Sequence, residues 1–267
     1  MTNKVLHLFI FEGEREVEYA ESFERHLLQD ASEKQIIAIK CVYKTDIYQL
    51  FKQMSVDNFA IDIVTLLKGR DETLKDYNQD SFACIYLFFD YDGHATEADD
   101  SKIMEMLKYF NNETENGLLF LSYPMLEAIR HYTDKESFKD LIVKCKAKNC
   151  PKRSVCKDVK TCNAESSYKN LSSDKGKYND IRKYTPEIWK ELIKAHVYKM
   201  NYLVSDSYTM PTDIVTQSTI FEKQLEKYIK QQCPKVAVLS AFPLYILNHY
   251  GAEKLNEKLN RQTISSK

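Results

Sequence analysis

Glycine and proline are scarce in this chain, six of each in 267 residues, which argues against long disordered linkers between folded parts. No apolar run approaches the roughly 20 residues that span a bilayer, so no membrane partner is expected. The first residues hold Lys4 but no extended apolar region and no small-residue cleavage site, which predicts no secretory signal. Seven cysteines, an odd number without export signals, point to a reducing cytoplasm. No glycine-rich loop ends in Lys-Ser or Lys-Thr, so any nucleotide hydrolysis has to come from a partner. The formal net charge is −1, which gives no global electrostatic reason to expect nucleic acid.

What is present is the composition of a soluble globular protein, 43% hydrophobic and 29% charged. The length suits one large domain or a domain with an appendage. Two strings stand out: Leu8-Phe9-Ile10-Phe11-Glu12-Gly13-Glu14, and Ile85-Tyr86-Leu87-Phe88-Phe89-Asp90-Tyr91-Asp92-Gly93. Each is an apolar run of strand length that ends in acids and a glycine. Runs without alternation suit strands covered on both faces, as in a parallel sheet.

Residues 4–11 predict the first strand, Glu14 to Asp30 an amphipathic helix, and Gln35 to Val42 a second strand. Asp46 to Met54 predicts a short helix; Ile61 to Leu67 fits either a strand or the start of a buried helix. Phe82 to Phe89 is the strongest strand. An acidic helix start at Thr96–Asp100 then leads to Ile103, Met106, Leu107 and Phe110 at helical spacing. Leu118 to Leu121 predicts another buried strand, and Ser122-Tyr123-Pro124 the opening of a helix carrying Met125, Leu126 and Ile129. Thr133 to Glu136 fits a capping box before a helix to Lys146. Long helices are expected from Thr185 and Ile220, a late strand over Val236–Leu239 that returns to the sheet, and a short helix from Leu244.

The alternation of strands and helices predicts an α/β fold, a Rossmann-like parallel sheet flanked by helices with right-handed crossovers. The expected organisation is a core over residues 1–132, a mainly helical, basic, Cys-bearing appendage over 133–233, and a late strand with C-terminal helix over 234–267. Leu121-Ser122-Tyr123-Pro124 and Leu239-Ser240-Ala241-Phe242-Pro243 echo each other as two similar strand-to-helix junctions rather than a repeat.

In an open parallel sheet, ligands sit beyond the carboxyl ends of the strands, where these acids fall. Glu12, Asp90 and Asp92 together would suit a hard divalent cation. Asp90 and Asp92, two apart on a strand, are expected on one face with Tyr91 turned aside. Taken singly, each acid reads as a solvated turn residue or helix cap; two acid–glycine exits from the two strongest strands point to a shared site.

This arrangement resembles the Toprim domain of topoisomerases, primases, OLD-family nucleases and small defence nucleases, with a Glu ending one strand and Asp-x-Asp ending a later one. Phe11-Glu12-Gly13-Glu14-Arg15-Glu16 followed by Tyr19 is particularly similar to RloB-like and AriB-like stand-alone Toprim proteins. Ser122-Tyr123-Pro124-Met125-Leu126-Glu127 matches their later Ser-x-Pro-x-x-Glu. The similarity covers residues 4–132 and makes 1–132 a Toprim-like catalytic core.

The resemblance implies a divalent-metal-dependent nuclease acting on DNA or RNA, transfer RNA included, as the toxic effector of a bacterial anti-phage, abortive-infection system. It implies magnesium or manganese as cofactor, with Glu12, Asp90 and Asp92 as metal ligands. Glu12 is alternatively a general acid/base, and Glu127 a further catalytic ligand or orienting group, with a helix-surface role as its equal alternative. An ATPase encoded nearby is the implied protein partner, and a homodimer is a further expectation. The alternatives are a catalytically silent module that regulates the ATPase, and a metal-dependent phosphohydrolase on a small substrate.

His94 reads as an exposed turn histidine, with a ligand or proton-carrier role as the alternative. Arg130 and His131 read as ordinary helix surface, with a phosphate contact as the alternative, and so do Arg15 and Arg25. Cys145, Cys150, Cys156 and Cys162 cluster in a polar segment, which leaves a structural zinc site and free thiols both open. Cys41, Cys84 and Cys233 read as core. Between Lys144 and Lys183 twelve Lys or Arg face four acids, a local excess of eight positive charges interleaved with Tyr168, Tyr178 and Tyr184. Such a patch could neutralise phosphates and stack bases; a solvated loop is the equal alternative.

Overall fold

The computed structural model describes residues 4–27, 36–145, 168–173 and 178–261. Its centre is a five-stranded sheet in the order β2-β1-β3-β5-β4, with β1 Val5–Phe11, β2 Ile36–Val42, β3 Cys84–Asp90, β4 Asn111–Asn112 and β5 Gly117–Ser122. The first four strands run parallel, and the two-residue β4 pairs antiparallel with β5. This is the expected α/β, Rossmann-like class.

The sequence forms this sheet because β1 and β3 are apolar on both sides. Leu8, Ile10, Leu87 and Phe89 are buried on one face, and Phe9, Phe11, Tyr86 and Phe88 on the other. The second set makes an aromatic row with Phe120 of β5, Phe9 facing Tyr86 and Phe88 facing both Phe11 and Phe120. Phe242 and Tyr245 of α9 (Ala241–Tyr250) close over that row, with centroids 5.0 Å and 5.6 Å from Phe88.

The crossover from β1 to β2 runs through α1 (Glu14–Leu27), and that from β3 to β5 through α4 (Asp100–Tyr109), in opposite directions along the sheet. Right-handed crossovers therefore put the two helices on opposite faces. The strand order reverses between β1 and β3, so the crevice at their carboxyl ends is the switch point of this sheet. Glu12 and Asp90 stand there.

Helix α2 (Ile47–Met54) starts as expected, with the Asp46 carboxylate accepting from Gln49 N–H at 2.9 Å. The ambiguous 61–67 run is helical: α3 spans Ile63–Lys68, capped by Asp62 accepting from Thr65 N–H at 2.8 Å. The helix expected after Pro124 is a single tight 3₁₀ stretch, Leu126–Arg130. Tyr123 cannot join a helix because its main chain pairs with Leu239, through N–H···O distances of 2.7 Å and 3.0 Å. The two echoing junctions thus bond to each other.

The helix expected from the Thr133 capping box is also shorter. Asp134 is its cap, α5 covers only Lys135–Lys139, and β6 (Ile142–Lys144) follows. Strand β6 pairs antiparallel with β7 (Lys235–Ala237), so the late strand joins this ribbon and reaches the main sheet only at Tyr123–Leu239. Helix α7 (Pro186–Ser205) begins at the Thr185 cap with Pro186 in its first turn, as expected. Its Trp189 is fully buried against Phe23 of α1, and its indole N–H donates to Ser22 Oγ at 3.1 Å. The hydrophobic interior is therefore continuous from the sheet into α7. Helices α6 (Tyr168–Ser173), α8 (Gln217–Gln224) and α10 (Ala252–Asn260) are the remaining α-helices among the described residues. Among the described residues no helix is long and apolar enough to cross a membrane.

Candidate functional site

At the switch point the chain leaves β1 through Glu12. Glu12 is fixed on both sides: its N–H donates to Phe88 O at 3.1 Å, and its C=O accepts from Lys44 N–H at 2.9 Å. Its carboxylate Oε2 accepts from the main-chain N–H of Asp90 at 2.9 Å. The two acidic exits are therefore bonded directly to one another.

Strand β3 ends at Asp90, and Asp92 lies beyond it at φ +45° in a tight turn. What brings Asp92 to the cleft is that left-handed turn, not the strand alternation expected from spacing. The turn is pinned by Asp92 N–H to Pro124 O at 3.2 Å and by Tyr48 Oη donating to Tyr91 O at 2.7 Å. Tyr91 does turn aside, fully buried with its hydroxyl donating to Asp100 Oδ1 at 2.7 Å. Gly93 has no room for a side chain, because a Cβ there would lie 2.6 Å from Cys145 O.

Glu12, Asp90, Asp92 and Glu127 all line one cleft of about 640 Å³, so the structure brings together all four expected acids. Glu16, in the first turn of α1, lines it too and is buried. Burial, then the charges of Asp92, Glu16 and Asp46, hold the Glu12 carboxyl well above the usual range, against the lowering effect of the Asp90 N–H. Burial and the charges of Glu12, Glu16 and Asp92 raise Asp90 similarly. Burial pushes Glu16 up to about 7, with Glu127 adding to the rise. Asp92 is raised by burial, with His94 opposing. These are like charges gathered away from water, a state that favours protons or a cation.

The donor set fits a hard divalent ion. Asp90 is 8% exposed, and its carboxylate has no hydrogen bond or ion pair among the described residues. Asp92 Oδ1 is buried without a hydrogen bond; His94 Nδ1 stands 3.4 Å away, close enough for charge pairing but not in bonding geometry. All the candidate donors are carboxylate oxygens, the type magnesium and manganese prefer. Among the described residues no three His, Cys, Asp or Glu side chains stand close enough to ligate one ion together. Magnesium keeps several waters and commonly takes only one or two carboxylates directly, which suits acids spaced around a cleft.

Glu127 is 3% exposed and bracketed by cations: Arg15 Nη1 lies 2.9 Å and Lys169 Nζ 3.9 Å from its Oε1. His94 is half-buried beside Asp92 rather than an exposed turn residue. Arg130 and His131 are not helix surface either; both are buried. Arg130 Nε donates to Ser172 Oγ at 3.1 Å and its Nη2 to Lys169 O at 2.9 Å, while His131 Nδ1 meets Tyr168 Oη at 3.1 Å.

Tyr168, Tyr178 and Tyr184 are buried, so they offer no ring faces for stacking bases. Cys150, Cys156 and Cys162, with most of the basic segment, lie outside the described residues; Cys145 is buried. Cys41 is buried and Cys84 and Cys233 are half-buried.

Sequence reasoning did not single out Glu16 or Lys169. Glu16 left a signal, an acid in the first turn of the helix that follows the β1 exit at Glu12 and Gly13. Lys169 was one charge of the basic Lys144–Lys183 run, but its particular place at the cleft depends on contacts across some forty residues of chain. Comparison with family models, with curated proteins and with solved structures found no match.

Proposed function

We propose that the cleft between β1 and β3 binds magnesium or manganese and hydrolyses phosphodiester bonds of DNA or RNA, transfer RNA included. The observation that carries this reading is the buried carboxylate of Asp90, without a bond among the described residues, beside Glu12 at the sheet's switch point. One or two of Glu12, Asp90 and Asp92 would hold the ion directly and the rest through its waters. A bound divalent ion there supplies Lewis-acid polarisation of a phosphoryl oxygen and an acidified water. Glu127 holds Arg15 and Lys169 at the cleft wall, where their charges suit a phosphate. Gly13 and Thr45 line the same cleft.

The likeness to RloB-like and AriB-like Toprim proteins supports the wider proposal: a toxic effector of bacterial phage defence, acting in the cytoplasm with a separately encoded ATPase. The test is cleavage of labelled DNA, messenger RNA and transfer RNA by the purified chain with Mg²⁺ or Mn²⁺. Cleavage lost on chelation and in Asp92→Asn supports the reading. Absence of turnover on every substrate, with ATPase binding retained, would favour a regulatory module instead.

A second reading, hydrolysis of a small phosphoester, draws on the burial of Tyr168, Tyr178 and Tyr184, which removes the expected stacking platform. Salt separates the two. Cleavage of a nucleic acid should fall steeply as salt rises, whereas turnover of a small ester should change little.

A further inference from the structure

Arg130 is a buried arginine spent on neutral acceptors. It is 8% exposed, and among the described residues its guanidinium bonds only to a hydroxyl and a carbonyl, Ser172 Oγ and Lys169 O. Removing a guanidinium from water is costly, and no carboxylate bond offsets it here. Ser172 is fully buried, and its own hydroxyl donates to the same Lys169 carbonyl at 3.0 Å. The neighbouring His131–Tyr168 contact adds a second tie, with the rings 5.4 Å apart and edge to face. Three residues of α6 are thus fastened to the segment that carries Glu127. The one side chain of α6 that this fastening turns toward the cleft is Lys169, 60% exposed, with Nζ 3.9 Å from Glu127 Oε1.

That ammonium does not neutralise Glu127 in any tight sense, because Arg15 already occupies the same oxygen at 2.9 Å. A second cation at a longer distance, largely solvated in a cleft lined by seven carboxylates, is poorly used by the protein alone. Its position suits an anion entering the cleft. A lysine acts on phosphate as a point charge with three rotatable donors, and needs its stem held rather than its head. The Arg130 clasp holds the main chain of the residue itself.

We propose that Lys169 binds the phosphoryl group of the substrate, and that Arg130 is its positioning residue, acting through the Lys169 carbonyl and Ser172. This deepens the phosphodiester reading and rests on it for the identity of the substrate, but the anion site stands on its own geometry.

The experiment uses the full chain with its lysines methylated by ¹³C-formaldehyde and titrates inorganic phosphate in the presence of Mg²⁺, following the Lys169 resonance by NMR. The expected result is a saturable shift of that resonance. Lys169→Met should weaken phosphate binding about tenfold, the worth of one charge-assisted contact, and Lys169→Arg should restore most of it. Arg130→Met should weaken it as well, although the Lys169 side chain itself is unchanged. Should that variant fold poorly, Ser172→Ala, which keeps every charge, should weaken phosphate binding by a smaller factor. Mg²⁺ affinity, measured separately, should not fall in Lys169→Met, because that variant removes a positive charge beside the carboxylates.

A wild-type Lys169 signal that phosphate does not move would overturn the proposal, as would phosphate affinity unchanged in Lys169→Met. Phosphate affinity lost in Lys169→Met but unchanged in both Arg130→Met and Ser172→Ala would overturn the positioning role. If phosphate binds as described and no nucleic acid is cleaved, the nuclease reading fails and the anion site remains.

Discussion

Glu12 Oε2 accepts the main-chain N–H of Asp90 at 2.9 Å, so two acids 78 residues apart in sequence are joined at adjacent strand ends. The bond has two consequences. It fixes the separation of the exits from β1 and β3, and it leaves both carboxyl groups at one cleft without a paired cation among the described residues.

Glu12→Gln keeps an oxygen that can accept from Asp90 N–H and removes the charge. The fold should persist, with unchanged circular dichroism, while metal-dependent cleavage falls by roughly 10²-fold or more. Cleavage at the wild-type rate would remove Glu12 from the catalytic set.

The raised carboxyls make the metal-free protein sensitive to pH. Glu16 goes from an ordinary 4.5 to about 7 on folding, so the folded state binds more protons between those values. Its contribution to stability is full below pH 4.5 and is lost as pH rises through about 7. His196, pushed down to about 3 chiefly by burial, works the other way, adding stability as pH rises to 6.5. The Glu16 contribution is therefore read as a difference. Between pH 5 and pH 8, wild type should lose melting temperature relative to Glu16→Gln, and Mg²⁺ should restore it at pH 8. Parallel curves for the two proteins would show that Glu16 is not raised.

Gly93→Ala and Gly69→Ala form a matched pair. The first would put a Cβ 2.6 Å from Cys145 O and 2.8 Å from Tyr91 Cε1; the second would meet nothing within 4 Å. Gly93→Ala should cost about 1–3 kcal/mol and weaken metal binding by shifting the Asp92 turn. Gly69→Ala, at φ −72°, should be neutral or stabilise by about 0.4–1 kcal/mol. Chemical denaturation of both variants gives the comparison.

Trp189→Ala removes the largest fully buried side chain and orphans the Ser22 hydroxyl it bonds. The loss should be about 3–5 kcal/mol. Unfolding should stay a single transition, because Trp189 links α7 to Phe23 of α1 in one interior. Two separated transitions would mean that the part beyond residue 133 melts on its own.

The sheet was legible because β1 and β3 are covered on both faces, which makes their apolar runs continuous. The cap residues Asp46 and Thr185 marked two helix starts for the same local reason: an oxygen placed to accept from the first turn. Local signals failed where a distant segment competed. Ser122 to Ile129 has the composition of a helix start, but the Tyr123 main chain is committed to Leu239. The segment after Lys139 could extend a helix, yet Ile142–Lys144 is taken by β7. Arg130 looks like a surface residue because its acceptors lie some forty residues on, and the tyrosines that seemed free to stack bases are packed inside. Of the site, the acids at strand ends were readable, since they sit beside the strands that place them. The pairing of the cations with Glu127 was not, because Arg15 and Lys169 reach it only through tertiary contacts.

The central claim is that the carboxylates at the carboxyl ends of β1 and β3 hold a divalent cation. Crystals soaked in Mn²⁺ and measured near the manganese absorption edge test it most directly. The account predicts an anomalous peak in the cleft within reach of Glu12, Asp90 and Asp92, absent in Asp90→Asn. A cleft without a peak at saturating Mn²⁺, or a peak unmoved by that substitution, would contradict it.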